Sequence, residues 1–229
     1  MNTIIKPTII LALVAFFSAF VLSQVSKVTE PRIDEQKKEK QRLALQTVLP
    51  GYTIEEEKKV QVQGKEFQYW KASRQTDEKT SVKGFAFIAS GQGYSGEVLT
   101  MVGIDDTGKI VAISVVQQTE TPGLGARSQE VATKRTIFDV VFGRDVADES
   151  SLPWFQEQFS GLNGMGKIQI LKKGDWNSSM KEELLQKNAI SAITGATVTS
   201  RTVKESIERG IIVLKSVETI SEPATEAVR

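Results

Sequence analysis

A long apolar run near the N-terminus divides this chain into a segment suited to a lipid bilayer and a segment suited to water. The run extends from Ile9 to Leu22 and is broken only by Ser18. With Thr8 and Val25 at its ends, it is just long enough to cross a bilayer, which takes roughly 17–25 residues. The run has no polar face, so the pattern disfavours a helix buried in a soluble core. The sequence therefore predicts a membrane-inserted N-terminal segment.

The same run is compatible with two interpretations, an uncleaved transmembrane anchor or a cleaved signal peptide. Val21 and Ser23 suit the small-residue pattern of a cleavage site before Gln24. In either case Lys6 and the α-amino group keep the short N-terminus on the cytoplasmic side, and the bulk of the chain is exported. We divide the chain into a membrane anchor over 1–26, a charged helical connector over 27–56, an exported domain over 57–220 and a loose tail over 221–229.

Charged residues dominate the predicted connector. The pattern from Glu30 to Gln46 indicates a solvated helix that ends at Pro50-Gly51, where the backbone cannot continue a helix. Contact between the connector lysines and lipid headgroups is the functional alternative. The interspersed acidic residues cancel most of the positive field and favour the solvated helix.

The exported part alternates in a way that indicates strands. The strand candidates are the apolar runs 60–62, 67–70, 84–89, 98–104, 110–116 and 168–171. Segments 63–66 and 105–108 are predicted hairpin turns, and the polar segment 73–80 is also expected to be a turn. Helices are expected over 128–142, 153–159 and 180–186, and again after residue 199. The predicted fold class is α+β, with a mixed or antiparallel sheet flanked by helices and preceded by one transmembrane helix.

Composition excludes several classes of function. The 29 basic and 28 acidic residues nearly cancel, which argues against a nucleic-acid binder. The sequence has no cysteine, so disulfides, iron–sulfur ligation and zinc–thiolate sites are excluded. It also has no histidine, which removes the usual catalytic triad and the commonest metal ligand. We predict no metal site and no catalytic residue, and a redox role would need a bound cofactor.

A stretch from Ser191 to Arg201 concentrates hydroxyl groups, a glycine and an alanine directly before a helical pattern. Thr199, Ser200 or Thr202 could cap that helix, and a helix start favours an anion such as phosphate. On these grounds alone a simple helix cap is the commoner interpretation. The apolar residues of the predicted helix are Val203, Ile207, Ile211 and Leu214.

The order Thr194-Gly195-Ala196-Thr197 resembles the flavinylation motif of the FMN-binding subunits of Rnf-type and Na⁺-translocating NADH:quinone reductase complexes. In that family the phosphate of FMN is joined to the hydroxyl of the last threonine, and a separate flavin transferase makes the bond from FAD. The resemblance implies covalent FMN on Thr197. The family pattern has aspartate three residues before the motif, where this chain has Ser191, a departure that bears on recognition by the transferase.

A second motif supports the resemblance. The segment from Glu120 to Arg127 reads Glu-Thr-Pro-Gly-Leu-Gly-Ala-Arg, and in the family this loop approaches the flavin. As a sequence pattern it indicates a Pro-Gly turn. The glycine-rich segment Gly91–Gly96 resembles a family turn and lacks the helix of a dinucleotide-binding loop. Trp154, Phe155 and Phe159 match a family landmark and are expected in the core.

The resemblance covers roughly 85–217 and implies an electron-carrier subunit of a membrane complex that couples ferredoxin–NAD⁺ electron transfer to ion translocation. Its partners would be the other proteins of the complex, the flavin transferase and the cell inner membrane, with Arg201 as a counter-charge for the phosphate. A stand-alone exported flavoprotein reductase domain and a non-redox membrane-anchored binding module are the alternatives. The implied FMN-binding residues are Glu120, Thr121, Gly123, Leu124, Gly125, Thr194, Gly195, Ala196, Thr197 and Thr199.

Overall fold

Five strands form one antiparallel sheet in which each strand pairs with the next along the chain. The computed structural model describes residues 2–62, 64–77, 80–131 and 152–218. This meander confirms the predicted α+β class and makes the third strand the centre of the sheet. The strands are β1 (Thr53–Val62), β2 (Lys65–Asp77), β3 (Thr80–Gln92), β4 (Glu97–Asp105) and β5 (Ile110–Gln117).

The described residues also form helices and a second, smaller sheet. The helices are α1 (Asn2–Val48), α2 (Trp154–Glu157), α3 (Lys181–Gln186) and α4 (Thr197–Val217), with 3₁₀ turns at Gly125–Gln129 and Ser178–Met180. Two short strands, β6 (Gln169–Leu171) and β7 (Ala189–Ser191), pair in parallel, and β7 was not predicted. Most of the helix predicted over 128–142, and the predicted tail over 221–229, lie outside the described residues.

Both predicted hairpins form where the turn residues allow them. Gly64, with a φ of 77°, lies between β1 and β2, and Gly108, with a φ of 76°, lies between β4 and β5. The Asp105 side chain accepts hydrogen bonds of 2.9 Å from the backbone N–H groups of Thr107 and Lys109 and so fixes the second turn. The connection between β2 and β3 falls within the turn predicted over 73–80, but that prediction was too long, because β2 continues in pairing with β3 as far as Asp77.

The described chain forms two compact units, Met1–Arg42 and Leu43–Arg229. The described residues of the first unit all lie in α1. This helix continues without interruption through the predicted anchor and most of the predicted connector. Among the described residues, one helix, α1, is long and apolar enough to cross a membrane. Its apolar side chains are exposed over that segment, as expected for a helix whose natural surroundings are lipid.

The second unit buries both faces of its sheet. One face packs against the last turn of α1, where a Cβ on Gly103 of β4 would overlap the carbonyl of Val48. The sheet can approach the helix end this closely because position 103 has no side chain. The buried apolar residues of this smaller core are Ala44, Val48, Leu49, Trp70, Ala72, Ala86, Met101 and Ala112.

The other face of the sheet holds the main core, which is covered by α2 and α4. Gly210 of α4 lies so close to β3 that a Cβ there would overlap the Phe87 ring. The helical periodicity predicted for α4 is confirmed, and so is burial of the three aromatics around α2. The residues concerned are Val203, Ile207, Ile211 and Leu214 in α4, with Trp154, Phe155 and Phe159 around α2.

The C-terminal end of α4 is tied to the sheet by one buried phenol. The Tyr69 hydroxyl donates a 2.8 Å hydrogen bond to Glu218, which also pairs with Lys71 at 2.7 Å. Burial and this bond to the Glu218 carboxylate raise the pKa of Tyr69 to about 12. We expect Tyr69→Phe to lower the free energy of unfolding by about 1.5 kcal/mol, because Glu218 loses a donor.

That loss should depend on pH, because the unfolded tyrosine has a pKa of about 10. A raised pKa in the folded state stabilises the fold fully below pH 10, and the stabilisation disappears as the pH rises through about 12. Urea unfolding of both proteins between pH 8 and 12 would measure the difference. A difference between wild type and Tyr69→Phe that stays constant over this range would contradict the expectation.

Candidate functional site

A cavity of about 440 Å³ opens where three segments of the second unit meet. One is the turn between β3 and β4, one is the loop that follows β5, and one is the start of α4. Its volume falls within the range of about 300–1,000 Å³ that is common for small-molecule sites. The lining residues are Tyr94, Glu120, Thr121, Leu124, Gly125, Gly195, Ala196, Thr197, Val198 and Thr199.

The Thr194–Thr197 turn leads directly into α4. Gly195 adopts a φ of 78°, a left-handed conformation that glycine accepts without steric cost. Ala196 is the N-cap residue and Thr197 is the first residue of the helix. The amide groups of the first helical turn therefore have no carbonyl partner within the helix. They lie beside the half-buried Thr197, which lines the cavity.

The predicted side-chain caps are wrong, because α4 begins before the residues that were expected to cap it. No side chain caps the helix, and Ser200 instead accepts a 3.0 Å hydrogen bond from the Ile193 amide. The Thr202 hydroxyl donates 2.8 Å to the carbonyl of Gln92 in β3. These hydroxyls bind the helix to its surroundings and do not cap its N-terminal amides.

Glu120 is a buried carboxylate that joins all three segments around the cavity. One oxygen accepts a 2.6 Å hydrogen bond from the Thr199 hydroxyl, and the other accepts 3.0 Å from the Ser95 amide. Its own amide donates 2.6 Å to the Gln118 side chain. Because the side chain is only 6% exposed, these partners hold it in one position.

Two glycines shape the loop around Glu120 in different ways. Gly123 has a φ of 76°, and the Leu124 amide bonds to the Thr121 carbonyl at 3.1 Å, as in a Pro-Gly β-turn. A Cβ on Gly125 would lie 2.5 Å from both Glu120 Oε2 and Thr199 Oγ1. Position 125 therefore needs glycine for close packing, whereas position 123 needs it for backbone conformation.

Apolar side chains line the open side of the cavity. Tyr94 is 78% exposed, Leu124 is 44% exposed and Val198 is 48% exposed, although they come from three different segments. Exposed apolar groups collected around one cavity are typical of a binding site for a partly apolar ligand. Tyr94 and Val198 were not among the predicted site residues. The aromatic residue between Gly93 and Ser95 was the available signal, although the pattern around it indicates only a turn.

A charged bridge connects the loop after β5 with the Thr194–Thr197 turn. Arg127 donates a 2.9 Å hydrogen bond to Asp175, whose other oxygen accepts a long 3.4 Å bond from the Thr194 amide. Burial alone would raise the pKa of Asp175. The hydrogen bonds from Arg127 and Thr194 outweigh that effect and hold the pKa below its ordinary value.

Two protein-family models match this chain, and one of them spans the cavity. Residues 93–212 match the family model described as an FMN-binding domain, and residues 1–48 match the model described as the RnfG N-terminal region. The first match covers the cavity and all of its lining residues. The chain belongs to the FMN-binding G subunits of Rnf complexes. The predicted family is thus confirmed.

Relatives of this chain come from several bacteria. The G subunit of the Na⁺-translocating ferredoxin:NAD⁺ oxidoreductase complex of Acetobacterium woodii is 28% identical over 54% of this chain and 45% of the relative. The G subunit of the proton-translocating complex of Clostridium ljungdahlii is 25% identical over 92% and 91%. The G subunit of an ion-translocating oxidoreductase complex of Pectobacterium atrosepticum is 27% identical over 94% and 92%. The chain thus spans less than half of the first relative and over nine tenths of the other two.

A solved structure shares the fold. The C subunit of the Na⁺-translocating NADH-quinone reductase from Parabacteroides distasonis superposes with a TM-score of 0.50 at 17% identity. The match covers 81% of this chain and 94% of the other. At this identity the likeness concerns the fold alone, and it agrees with the antiparallel sheet and flanking helices of this chain.

Most of the residues predicted to bind FMN line the cavity. Thr194 and Gly123 do not belong to the lining, although each lies next to residues that do. Arg201 is exposed on α4 and also lies outside the lining. Ser191, the departure from the motif, is fully buried, and its hydroxyl donates 2.5 Å to the Gly174 carbonyl.

Proposed function

We propose that this chain is an electron-carrier subunit whose FMN is covalently bound through its phosphate to Thr197. It acts within a membrane complex that couples electron transfer between ferredoxin and NAD⁺ to ion translocation. The single observation that carries the proposal is the position of Thr197, which lies at a helix start, half-buried, on the wall of a ligand-sized cavity. Among the described residues, its hydroxyl makes no hydrogen bond and is free to react.

The start of α4 suits a phosphate group on Thr197. The unpaired amides of the first helical turn and the helix dipole both stabilise negative charge. Gly195 and Ala196 keep side-chain bulk away from the same place. The Glu120 carboxylate, which also lines the cavity and is held by Thr199, would repel a phosphate placed against it. Together these charges favour the phosphate at Thr197 and the uncharged part of the ligand elsewhere in the cavity.

The apolar side of the cavity suits a flat ring system. Tyr94, Leu124 and Val198 offer contact area that the fold of the chain alone leaves exposed to water. Covering apolar surface of this kind is favourable, and an aromatic side chain adds stacking to the gain. Bound FMN supplies the electron-transfer chemistry, and the chain supplies binding, orientation and electrostatics.

Thr197 is expected to need an external enzyme for its modification. A threonine hydroxyl is a poor nucleophile without an adjacent base, and the sequence contains no histidine. Glu120, a carboxylate in the cavity wall, already accepts hydrogen bonds from Thr199 and Ser95. We therefore propose an external flavin transferase, and the resemblance of the Thr194–Thr197 motif implies FAD as its donor.

The long α1 helix is proposed to anchor the protein in the cell inner membrane by a single span. Its N-terminus would face the cytoplasm, with Lys6 on that side, and the sheet domain would lie on the extracytoplasmic side. Covalent attachment suits such a location, because FMN that cannot be resupplied is retained whatever its affinity. Relatives named as G subunits of oxidoreductase complexes support other Rnf subunits as partners.

Mass spectrometry of the full-length chain tests the proposal. Coexpression with a flavin transferase should raise the intact mass by one FMN less one water, and the denatured band should fluoresce. Copurification with other Rnf subunits from native membranes would distinguish a member of the complex from a stand-alone exported flavoprotein. A wild-type chain that never gains this mass would instead favour a non-redox binding module.

Tyr94 offers a test of where the ring lies. We expect Tyr94→Phe to increase the fluorescence of the native flavinylated chain, because a phenol in contact with an excited flavin quenches it by electron donation. Tyr52→Phe is the matched control, since Tyr52 does not line the cavity and instead packs under Arg74. Equal fluorescence lifetimes for wild type and Tyr94→Phe would place the ring away from Tyr94.

A further inference from the structure

One carboxylate outside both motifs connects them. Asp175 lies in the segment between β6 and the Ser178–Met180 turn, and neither motif includes it. Its Oδ2 accepts 2.9 Å from Arg127, which follows the loop after β5, and its Oδ1 accepts 3.4 Å from the Thr194 amide. The two cavity-lining segments therefore share a single acceptor.

The Arg127 end of this bridge is well held. Its Nε donates 2.8 Å to Glu130, and its guanidinium lies 5.4 Å from the centre of the Trp154 ring. Trp154 is itself part of the main core. An arginine fixed by an ion pair with Glu130 and by an aromatic face loses little further freedom when it orients Asp175.

The Asp175 end is held by its two neighbours in sequence. The Gly174 carbonyl accepts 2.5 Å from the buried Ser191 hydroxyl, and the Trp176 side chain is buried. Ser191 is thus occupied in fixing the backbone next to Asp175. The carboxylate that accepts a hydrogen bond from the Thr194 amide therefore comes from this neighbouring segment, and position 191 supplies none.

We infer that Asp175 is a positioning residue for the modification of Thr197, acting through the Thr194 amide. This inference rests on the proposed function. Gly195 can adopt backbone conformations closed to other residues, so the turn needs an external restraint to keep one shape. By holding Thr194 three residues before Thr197, Asp175 fixes the direction in which the acceptor hydroxyl is presented to the transferase.

The step that Asp175 assists is a phosphoryl transfer. A bond forms between Thr197 Oγ1 and the phosphorus of the FMN half of FAD, and the pyrophosphate bond of FAD breaks. AMP leaves, and the proton of the threonine hydroxyl leaves with it. Asp175 touches none of these atoms, so its removal should slow the transfer without changing the product.

The test compares two carboxylates of similar exposure in the full-length chain. Asp175→Asn keeps the size of the side chain and weakens both of its hydrogen bonds. Glu183→Gln weakens two ion pairs, with Lys173 and Lys187, and contacts neither motif. The side chains are 40% and 44% exposed, so the two variants should lose similar stability in thermal unfolding.

Flavinylation by purified transferase and FAD would be followed by intact mass at saturating chain concentration. We expect Asp175→Asn to lower the maximal rate about tenfold, with the KM for FAD unchanged, because orientation of the acceptor is lost. Glu183→Gln should react like wild type. The inference is overturned if Asp175→Asn reacts at the wild-type rate, or if both variants slow equally. A wild-type chain that gains no mass would instead remove the proposed function itself.

Discussion

Thr197→Val is expected to abolish covalent flavin while leaving the chain folded. Valine has nearly the shape of threonine but no hydroxyl, so no phosphoester can form. Among the described residues, the Thr197 hydroxyl makes no hydrogen bond, so the free energy of unfolding should change by no more than about 0.5 kcal/mol. After coexpression with flavin transferase, the variant should show neither the mass of one FMN less water nor fluorescence of the denatured band.

Thr194→Val is the matched control for this experiment. It removes a hydroxyl from the other threonine of the same turn, at an exposed position outside the cavity lining. We expect it still to gain the mass of one FMN less water, because its backbone amide still bonds to Asp175 and only the contact of its hydroxyl with that carboxylate is lost. Covalent flavin on Thr197→Val, or its loss only in Thr194→Val, would assign the attachment to another residue.

Local sequence patterns predicted most of the sheet, because each strand pairs with its neighbour along the chain. A turn such as Asp105–Gly108 sets the register of its hairpin from within a few residues. The parallel strand β7 could not be found in this way. A strand of three residues is too short to show a hydrophobic period. Its partner β6 is separated from it in the sequence by α3.

The start of α4 shows how an irregular turn defeats a pattern of hydroxyl residues. Several residues after Gly195 could cap a helix, and the sequence alone does not say which of them is already helical. The left-handed Gly195 and the Ala196 N-cap start the helix at Thr197, before all the candidates. Ser200 and Thr202 then use their hydroxyls for contacts with Ile193 and Gln92, which only the fold brings near.

The candidate site also has a part that the sequence shows and a part that only the fold shows. The two motifs were recognisable because each is contiguous in sequence, and the fold places most of their residues around one cavity. Glu120 and Thr199 lie 79 residues apart, and Arg127 and Asp175 lie 48 apart. Contacts of this kind depend on tertiary packing and carry no local signal. Attachment of FMN at Thr197 stays a prediction.

Gly125→Ala is expected to disturb the site more than any other single methyl group in the loop after β5. Its Cβ would lie 2.5 Å from Glu120 Oε2 and Thr199 Oγ1, which are hydrogen-bonded to each other. Separating them should cost about 1–3 kcal/mol and shift the first turn of α4. Because a displacement of about 1 Å can cost a hundredfold in rate, we expect flavinylation to slow on the order of a hundredfold.

Gly123→Ala separates this effect from simple loss of stability. Gly123 has a φ of 76°, and a Cβ added there would meet no atom within 4 Å. Alanine at this position therefore strains the backbone by about 1–2 kcal/mol without a collision, and the two variants should unfold at similar denaturant concentrations. Flavinylation of Gly123→Ala should stay close to wild type, because Glu120 and Thr199 keep their hydrogen bond. Equal slowing of both variants would show that general loop stability, and not the packing between Glu120 and Thr199, controls modification.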